Sequence, residues 1–475
     1  MASPDTLVSD QEAQTSAPET WHDLLSLQNW LPPDIRAVAV ATFLQHCESY
    51  PRELVGHRQG LFCSSMYAGG ISSALEDVTT AVGMVMLLAR ERRCYSRLHA
   101  LSRKHYVAAL KAVNISIQRA ELATSHETLL AVMLLATYET MVLTSQDAEQ
   151  SFSAHNSGTL ELFLFRGREQ FKDTKALQLF FHLRRQTILN ALWTTDNIPQ
   201  HFHTLSQWSF EFETDQQRSE SKLAALTIRL CELRSQTRRG HYSEAPRRSV
   251  VDGFRELDQL LQDWRDHSLD AGDSYDRHIR EEEDVLTAAC HEKPMPPAKT
   301  PLRLDYLTTR LQVNQSLRDV LKEEDLLAES DSMCALLRTI SDFRRQARTC
   351  IEKMLSQARK QDTDKPSGNF ALQRLAIWPL WVVGSDEDAS LSDLSWILLQ
   401  LHAIAKDTGC LAARRVADAI FQKTGTTSPV GPRSEAIPVR TTKPKQSGHG
   451  SSLILDFHEQ DQAPRKANVL ALPAT

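Results

Sequence analysis

A run of four acidic residues is the first candidate for chemistry in this sequence. The run consists of Glu281, Glu282, Glu283 and Asp284. In a helical protein, such a run can hold Mg²⁺ against a diphosphate, provided that the carboxylates project into one cavity from consecutive turns. Adjacent residues point to different sides of a helix instead. We therefore interpret the run as a solvated charged surface and predict no metal site.

Histidines supply the other candidate acids, bases and ligands. His201 and His203 form an H-x-H pair, but no third ligand is suggested nearby, so we predict no metal there. His155 has no nucleophile or acid partner at a useful spacing, so we expect a structural role near a helix start. His105 falls in an apolar helical pattern and is interpreted as a half-buried residue. We name no catalytic residue.

Cysteine usage points to a reducing compartment. The eight cysteines are Cys47, Cys63, Cys94, Cys231, Cys290, Cys334, Cys350 and Cys410. None lies in a C-x-x-C pair, so neither a disulfide framework nor a zinc site is indicated. Residues 1–20 lack the apolar or arginine-rich features of targeting signals, so we expect a cytosolic or nuclear protein.

Motifs of the common enzyme classes are missing from the sequence. It contains no G-x-S-x-G, no H-E-x-x-H, no Walker loop and no G-x-G-x-x-G. The sequence therefore predicts no enzyme and no cofactor.

The elements that would position any site are helices. Apolar residues recur at helical spacing through residues 21–422, and no run alternates as a strand does. The most apolar segment, residues 129–136, has no polar face, and it is far shorter than the roughly 20 residues of a membrane span. It predicts a central core helix, which we expect to begin at a capping box made by Thr124 and Glu127.

Breaks in this pattern suggest the domain organisation. We predict one large all-α domain over residues 21–422, with loops near 234–250 and 267–300, between disordered segments at 1–20 and 423–475. Pro379 should kink or end a helix, and Asp252 should cap one. Gly158 would let another helix approach closely, and Gly167 should end its helix. We expect Arg166 to bond the last carbonyls or a partner carboxylate.

Charge sets limits on nucleic-acid binding. The net charge of −6 over 475 residues argues against a chain-wide basic surface. Five arginines between residues 234 and 248 predict an exposed loop, with a nuclear-import or phosphate-contacting patch as the alternative. The segment SLILDFHEQD, in residues 452–461, mixes apolar and acidic residues as partner-docking segments can.

Three stretches together resemble the regulatory domain of fungal-specific transcription factors. The first is YVAALKAVN, residues 106–114, followed by HETLLAVMLLATYE, residues 126–139. The second is AHNSGTLELFLFRG, residues 154–167, and the third is IWPLWVVGSDE, residues 377–387. They are similar, in the same order, to three blocks of the family. The first block is "Y..AL..LN" leading into "tLaa...L..yE", the second is "H..G...L...RG", and the third is "WPLf.aG.E".

The resemblance implies a helical effector or ligand-sensing domain in a nuclear regulator, often of a metabolic or secondary-metabolite gene cluster. That family reads DNA through a six-cysteine zinc cluster, whereas no cysteine precedes Cys47 here. We therefore expect a regulator that lacks its own DNA reader, or a truncated version of a full factor. Its expected partners are other regulators or co-regulators, a DNA-binding partner among them, and a small-molecule effector. The alternatives are a terpene-cyclase-like all-α enzyme and a helical scaffold or small-molecule binder.

Overall fold

Helices joined by turns make up the part of the chain that the structure describes, and it contains no strand. The computed structural model describes residues 34–48, 72–90, 95–142, 146–194, 197–239, 244–268, 300–322, 331–360, 370–408 and 410–424. The prediction of an all-α fold is confirmed. None of the helices described is long and apolar enough to cross a membrane.

The helices are numbered in chain order. They are α1 (Ile35–Glu48), α2 (Ser73–Arg90), α3 (Tyr95–Ile117), α4 (Ala120–Ala123), α5 (His126–Val142), α6 (Gln146–Arg166), a 3₁₀ turn η1 (Arg168–Lys172), α7 (Thr174–Thr194), α8 (Gln200–Phe210), α9 (Asp215–Arg239), α10 (Glu244–Ser268), α11 (Thr300–Lys322), α12 (Asp331–Lys360), α13 (Phe370–Gly384), α14 (Leu391–Thr408) and α15 (Leu411–Thr424). All of them belong to one compact unit. The segments 1–20 and 425–475, expected to be disordered, lie outside the described residues.

The central helix is α5, as the apolar run predicts. It is buried at every position from 128 to 139. Helices α2, α3, α4, α6, α7 and α15 pack around it. A helix with no polar face would expose apolar surface to water unless neighbouring helices covered it. The hydrophobic effect therefore explains why the other helices pack around α5.

The start of α5 differs from the predicted capping box. Ser125, not Thr124, is the cap, because its Oγ accepts the Thr128 N–H at 3.1 Å. Thr124 instead ends α4 and donates its hydroxyl to the Ala120 carbonyl at 3.1 Å. The Glu127 carboxylate accepts the N–H of Ser72 at 3.1 Å, at the start of α2. Glu127 therefore caps a neighbouring helix and not its own.

The predicted loop at 234–250 is wrong over most of its length. Helix α9 runs to Arg239 and α10 begins at Glu244, so only residues 240–243 lie between them, outside the described residues. Arg234 donates to the Leu192 carbonyl at 3.3 Å and Arg238 to the Thr194 carbonyl at 2.6 Å. Because these two arginines supply hydrogen-bond donors to the carbonyls that end α7, this basic segment belongs to the packed helix α9 and not to a loop.

Pro246, Asp252 and Pro379 all lie within helices. Pro246 lies in the first turn of α10, where proline is tolerated, and Asp252 lies inside that helix and does not cap it. Helix α13 continues through Pro379, so the predicted end at that residue is wrong, whereas a kink there stays a prediction. Helices α11, α12, α14 and α15 pack on α13, and this burial offsets the roughly 3 kcal/mol that an internal proline costs.

Glycine allows a close helix contact at a position other than the predicted one. A Cβ built on Gly158 meets no atom within 4 Å, so no helix approaches there. A Cβ on Gly83 of α2 would lie 2.0 Å from the Ala39 carbonyl oxygen of α1. Gly167 ends α6 as predicted, with φ of 74° and its N–H donating to the Leu164 carbonyl at 3.0 Å.

Candidate functional site

A tyrosine, a glutamate and a histidine from three different helices meet beside the central helix. The Tyr106 hydroxyl of α3 donates to the Glu139 carboxylate of α5. The Nε2 atom of His155, in α6, lies 3.3 Å from the Tyr106 hydroxyl and 3.9 Å from Glu139 Oε1. We call Tyr106, Glu139 and His155 the polar triad. Tyr106 and Glu139 come from the two parts of the first block of the family resemblance, and His155 comes from the second block.

The position of His155 corrects one expectation. Helix α6 begins at Gln146, so His155 lies in its middle and not near its start. The polar segment before it continues the helix, since Gln, Asp, Ala and Glu tolerate helical conformation. The structural role expected for His155 accords with its contacts, but its acid partner, Glu139, was missed because the two lie on different helices.

Stacking and hydrogen bonds around the polar triad fix its tyrosine. The ring of Tyr138 stacks on that of Tyr106, with centroids 4.4 Å apart and planes inclined by 14°. The Ser102 hydroxyl lies 2.9 Å from the Ala81 carbonyl and 3.3 Å from the Tyr138 hydroxyl. Since a carbonyl only accepts, Ser102 donates to Ala81, and Tyr138 is left to donate to Ser102. The site is thus tied to α2, α3, α5 and α6.

Burial controls the protonation of the polar triad. It lowers the pKa of His155 to about 4, so the imidazole is neutral at pH 7. It raises the pKa of Glu139, although the hydrogen bond from Tyr106 opposes the shift. Burial, together with the neighbouring Glu139, also raises the pKa of Tyr106, which therefore stays a hydrogen-bond donor. Chemically, the Tyr106 hydroxyl donates to the Glu139 carboxylate and can accept from His155 Nε2–H, so it links a carboxylate to a neutral imidazole.

The His155 environment predicts an acid-sensitive stability. The unfolded chain binds a proton near the ordinary histidine pKa of about 6.5, whereas the folded chain binds it only near pH 4. Stability from this group is therefore present above pH 6.5 and is lost as the pH falls. Between pH 7 and 5.5 the free energy of unfolding should drop by about 1 kcal/mol more in the wild type than in His155→Gln. Urea unfolding at each pH measures this difference.

A surface histidine provides the control for this comparison. His201 is exposed on α8, and His201→Gln should keep the wild-type pH profile. Glu139 acts in the opposite direction, because its raised pKa favours the folded state at low pH and loses that effect as the pH rises. It is present in both proteins, so the difference reports on His155. Parallel profiles for wild type and His155→Gln would contradict the assignment.

Acidic residues in and just after the third block form a second cluster. Asp386, in the turn between α13 and α14, has a fully buried side chain. Its Oδ1 lies 2.7 Å from Arg318 Nη1 of α11, and its Oδ2 lies 2.9 Å from Arg344 Nη1 of α12. Asp388 Oδ2 lies 2.7 Å from the same Arg318 nitrogen. The acids of this turn therefore join α11 and α12 to the loop before α14.

Tryptophans of the third block lie beside α7. The ring of Trp193 is 6.5 Å from that of Trp378 and 4.9 Å from that of Trp381, centroid to centroid. Arg374, one turn earlier on α13, donates to the Thr140 hydroxyl of α5 at 2.9 Å. Helix α13, which carries the third block, thus contacts the central helix through a residue 234 positions from its partner in sequence.

Other residues singled out from the sequence do not gather into a site. His105 Nδ1 lies 2.8 Å from Asp77 Oδ1, and His203 Nε2 lies 3.6 Å from Glu232 Oε1. Across the described ranges, no group of three or more His, Cys, Asp and Glu side chains is placed to hold a metal ion. The acidic run at 281–284 and the segment SLILDFHEQD lie outside the described residues.

Four cysteines of the described helices and turns are not in disulfides. Cys231, Cys350 and Cys410 are buried, and Cys334 is exposed. Burial raises the pKa of Cys231 to about 12 and that of Cys350 to about 11, so these two thiols stay protonated and unreactive at pH 7.

Comparison of the chain with protein families, with curated proteins and with solved structures found no match.

Proposed function

We propose that this protein is a nuclear transcriptional regulator that acts through its helical domain, in the manner of fungal-specific transcription factors. The observation that carries the proposal is the polar triad. Tyr106 and Glu139 stand in the two parts of the first block of the family resemblance and His155 stands in the second block, and all three side chains meet at one joint. Blocks that matched by chance would have no reason to place these residues in contact.

The proposed role is control of a metabolic or secondary-metabolite gene cluster. The 475 residues contain no C-x-x-C pair, so in this proposal DNA contact comes from a partner regulator. The terpene-cyclase-like alternative depends on residues 281–284, and no contact among the described residues favours it.

A reporter assay tests the regulatory role. The full chain, fused to an unrelated DNA-binding domain, should change expression from a reporter promoter in fungal cells by at least about fivefold relative to that domain alone. Glu139→Ala should abolish the change, because it leaves Tyr106 and His155 without their buried acceptor. Glu161 is an exposed glutamate on α6, and Glu161→Ala should leave the change in reporter expression intact.

Two further measurements complete the test. A tagged chain should accumulate in the nucleus, and the purified chain alone should give no sequence-specific shift of DNA in a gel. Nuclear exclusion, with an unchanged reporter at normal protein abundance, would overturn the regulatory role. A specific gel shift would overturn only the dependence on a DNA-binding partner.

A further inference from the structure

A surface depression lies where the short helix α4 meets the end of α6. Its volume is about 530 Å³, within the range of small-molecule sites. Its lining residues are Ala120, Glu121, Thr124, Phe165, Arg166 and Gln170. Phe165 is an aromatic residue with 63% of its surface exposed, unusual for so large an apolar side chain. The depression therefore combines an apolar wall with a cationic group.

The cationic group is Arg166, at the end of α6. Arg166 Nη2 lies 3.1 Å from His126 Nε2, and no carboxylate of the described residues forms an ion pair with Arg166. Nη1 is covered from solvent and has no hydrogen-bond partner. Burial lowers the pKa of Arg166, although the charge of Asp173 opposes the shift. A buried guanidinium nitrogen without an acceptor is costly, and an anion would remove that cost.

His126 cannot serve both of its neighbours. Its Nε2 lies 3.1 Å from Arg166 Nη2 and 3.1 Å from Asp173 Oδ2. A single ring nitrogen either accepts from the arginine or donates to the carboxylate. Burial and the charge of Arg166 lower the pKa of His126 and so favour the neutral ring, which accepts from Arg166 when its proton is on Nδ1 and donates to Asp173 when its proton is on Nε2. In either tautomer Arg166 keeps its positive charge, which the charge of Asp173 offsets in part.

Helix ends around the depression suit one negative charge. His126 is the first residue of α5, whose dipole favours an anion there. The opposing carbonyls that end α6 are covered by Gln170, whose Nε2 donates to Phe163 at 2.6 Å and Gly167 at 2.7 Å. Gln170 Oε1 is a buried acceptor with no hydrogen-bond partner among the described residues, so it suits a donor on the ligand and not its carboxylate. Glu121, on the lining, repels any anion, most strongly one of higher charge, so the ligand carboxylate belongs on the Arg166 side of the depression.

We propose that this depression binds a small organic acid, with one carboxylate on Arg166 and an aromatic or aliphatic body against Phe165. Because the depression is open, the affinity should be modest, about millimolar for a minimal ligand. A role for the ligand as effector rests on the proposed function, whereas binding itself does not.

Isothermal titration with phenylacetate tests the site on the purified full chain. Phenylacetate should bind the wild type, while 2-phenylethanol, which lacks the charge, and inorganic phosphate, which lacks the apolar body, should each bind at least about tenfold more weakly. Arg166→Gln should weaken phenylacetate binding at least about tenfold, equal to about 1.4 kcal/mol. The matched control is Arg168→Gln, on the other side of Gly167. Arg168 pairs with Glu211 in an exposed position and does not line the depression.

A second variant keeps the test decisive if Arg166→Gln fails to fold. Phe165→Ala removes an exposed side chain, and the variant should fold and bind phenylacetate several-fold more weakly. Absence of phenylacetate binding to the wild type would overturn the proposal. So would equal binding of phenylacetate by wild type and Phe165→Ala, or equal weakening by Arg168→Gln and Arg166→Gln. None of these outcomes changes the reporter result, so the two proposals fail separately.

Discussion

Replacing Asp386 with alanine should lower the free energy of unfolding by about 3–5 kcal/mol, because it leaves two arginines without their shared buried carboxylate. The side chain of Asp386 is fully buried, and those of Arg318 and Arg344 are 3% and 12% exposed. Burial alone would lower the pKa of Arg318, but its bond to Asp386 and the charge of Asp319 raise it instead. The measurement is the midpoint and slope of urea unfolding.

An exposed ion pair supplies the control for Asp386. Asp342 and Arg345 pair on the surface of α12, with side chains 56% and 77% exposed. Asp342→Ala should therefore cost no more than about 0.5 kcal/mol. If Asp386→Ala were as mild as Asp342→Ala, the cluster that joins α11 and α12 to the third block would not be buried in solution.

Substituting Gly83 with alanine should cost about 2–3 kcal/mol, the second largest effect we expect. The added Cβ would lie 2.0 Å from the carbonyl oxygen and 2.6 Å from the carbonyl carbon of Ala39. Both atoms belong to the backbone, so a side-chain rotation gives no relief and α1 must move away from α2. Overpacking of this kind typically costs about 1–3 kcal/mol, and a backbone clash lies at the upper end.

Gly158 is the matched control for Gly83. It lies within α6, and a Cβ there meets no atom within 4 Å. Gly158→Ala should stabilise the protein by about 0.5–1 kcal/mol, since alanine loses less backbone entropy in a helix. Opposite signs for the two substitutions, measured by thermal unfolding, are the expected result. A destabilising Gly158→Ala would mean that another segment packs against α6 there.

Helical periodicity predicted the fold class because it depends on local spacing alone. The apolar run at 129–136 identified α5, since a helix without a polar face has to be surrounded. What periodicity does not contain is the identity of the neighbour. Gly83 and Gly158 both lie within helices, and only the packing of α1 against α2 distinguishes them.

Polar residues were harder to place than apolar ones. Local sequence shows Asp386 only as an acid in a turn. Its two arginine partners, Arg344 and Arg318, lie 42 and 68 residues earlier in the chain, on other helices. Glu139 shows no partner in the local sequence either, because Tyr106 lies 33 residues earlier on another helix. Arginine-rich residues 234–239 suggested an exposed loop, since nothing local shows that the end of α7 needs donors. Charge pairing across helices is a property of tertiary structure and leaves little local signal.

The hydrogen bond from Ser72 to Glu127 couples the start of α2 to the start of α5. Ser72 caps α2 through its own hydroxyl, but its backbone N–H finds its acceptor 55 residues later in the chain. That acceptor is in place only once the first turn of α5 has formed and docked. The Ser72 N–H therefore loses its acceptor whenever the beginning of α5 opens, so hydrogen exchange at Ser72 reports on that opening.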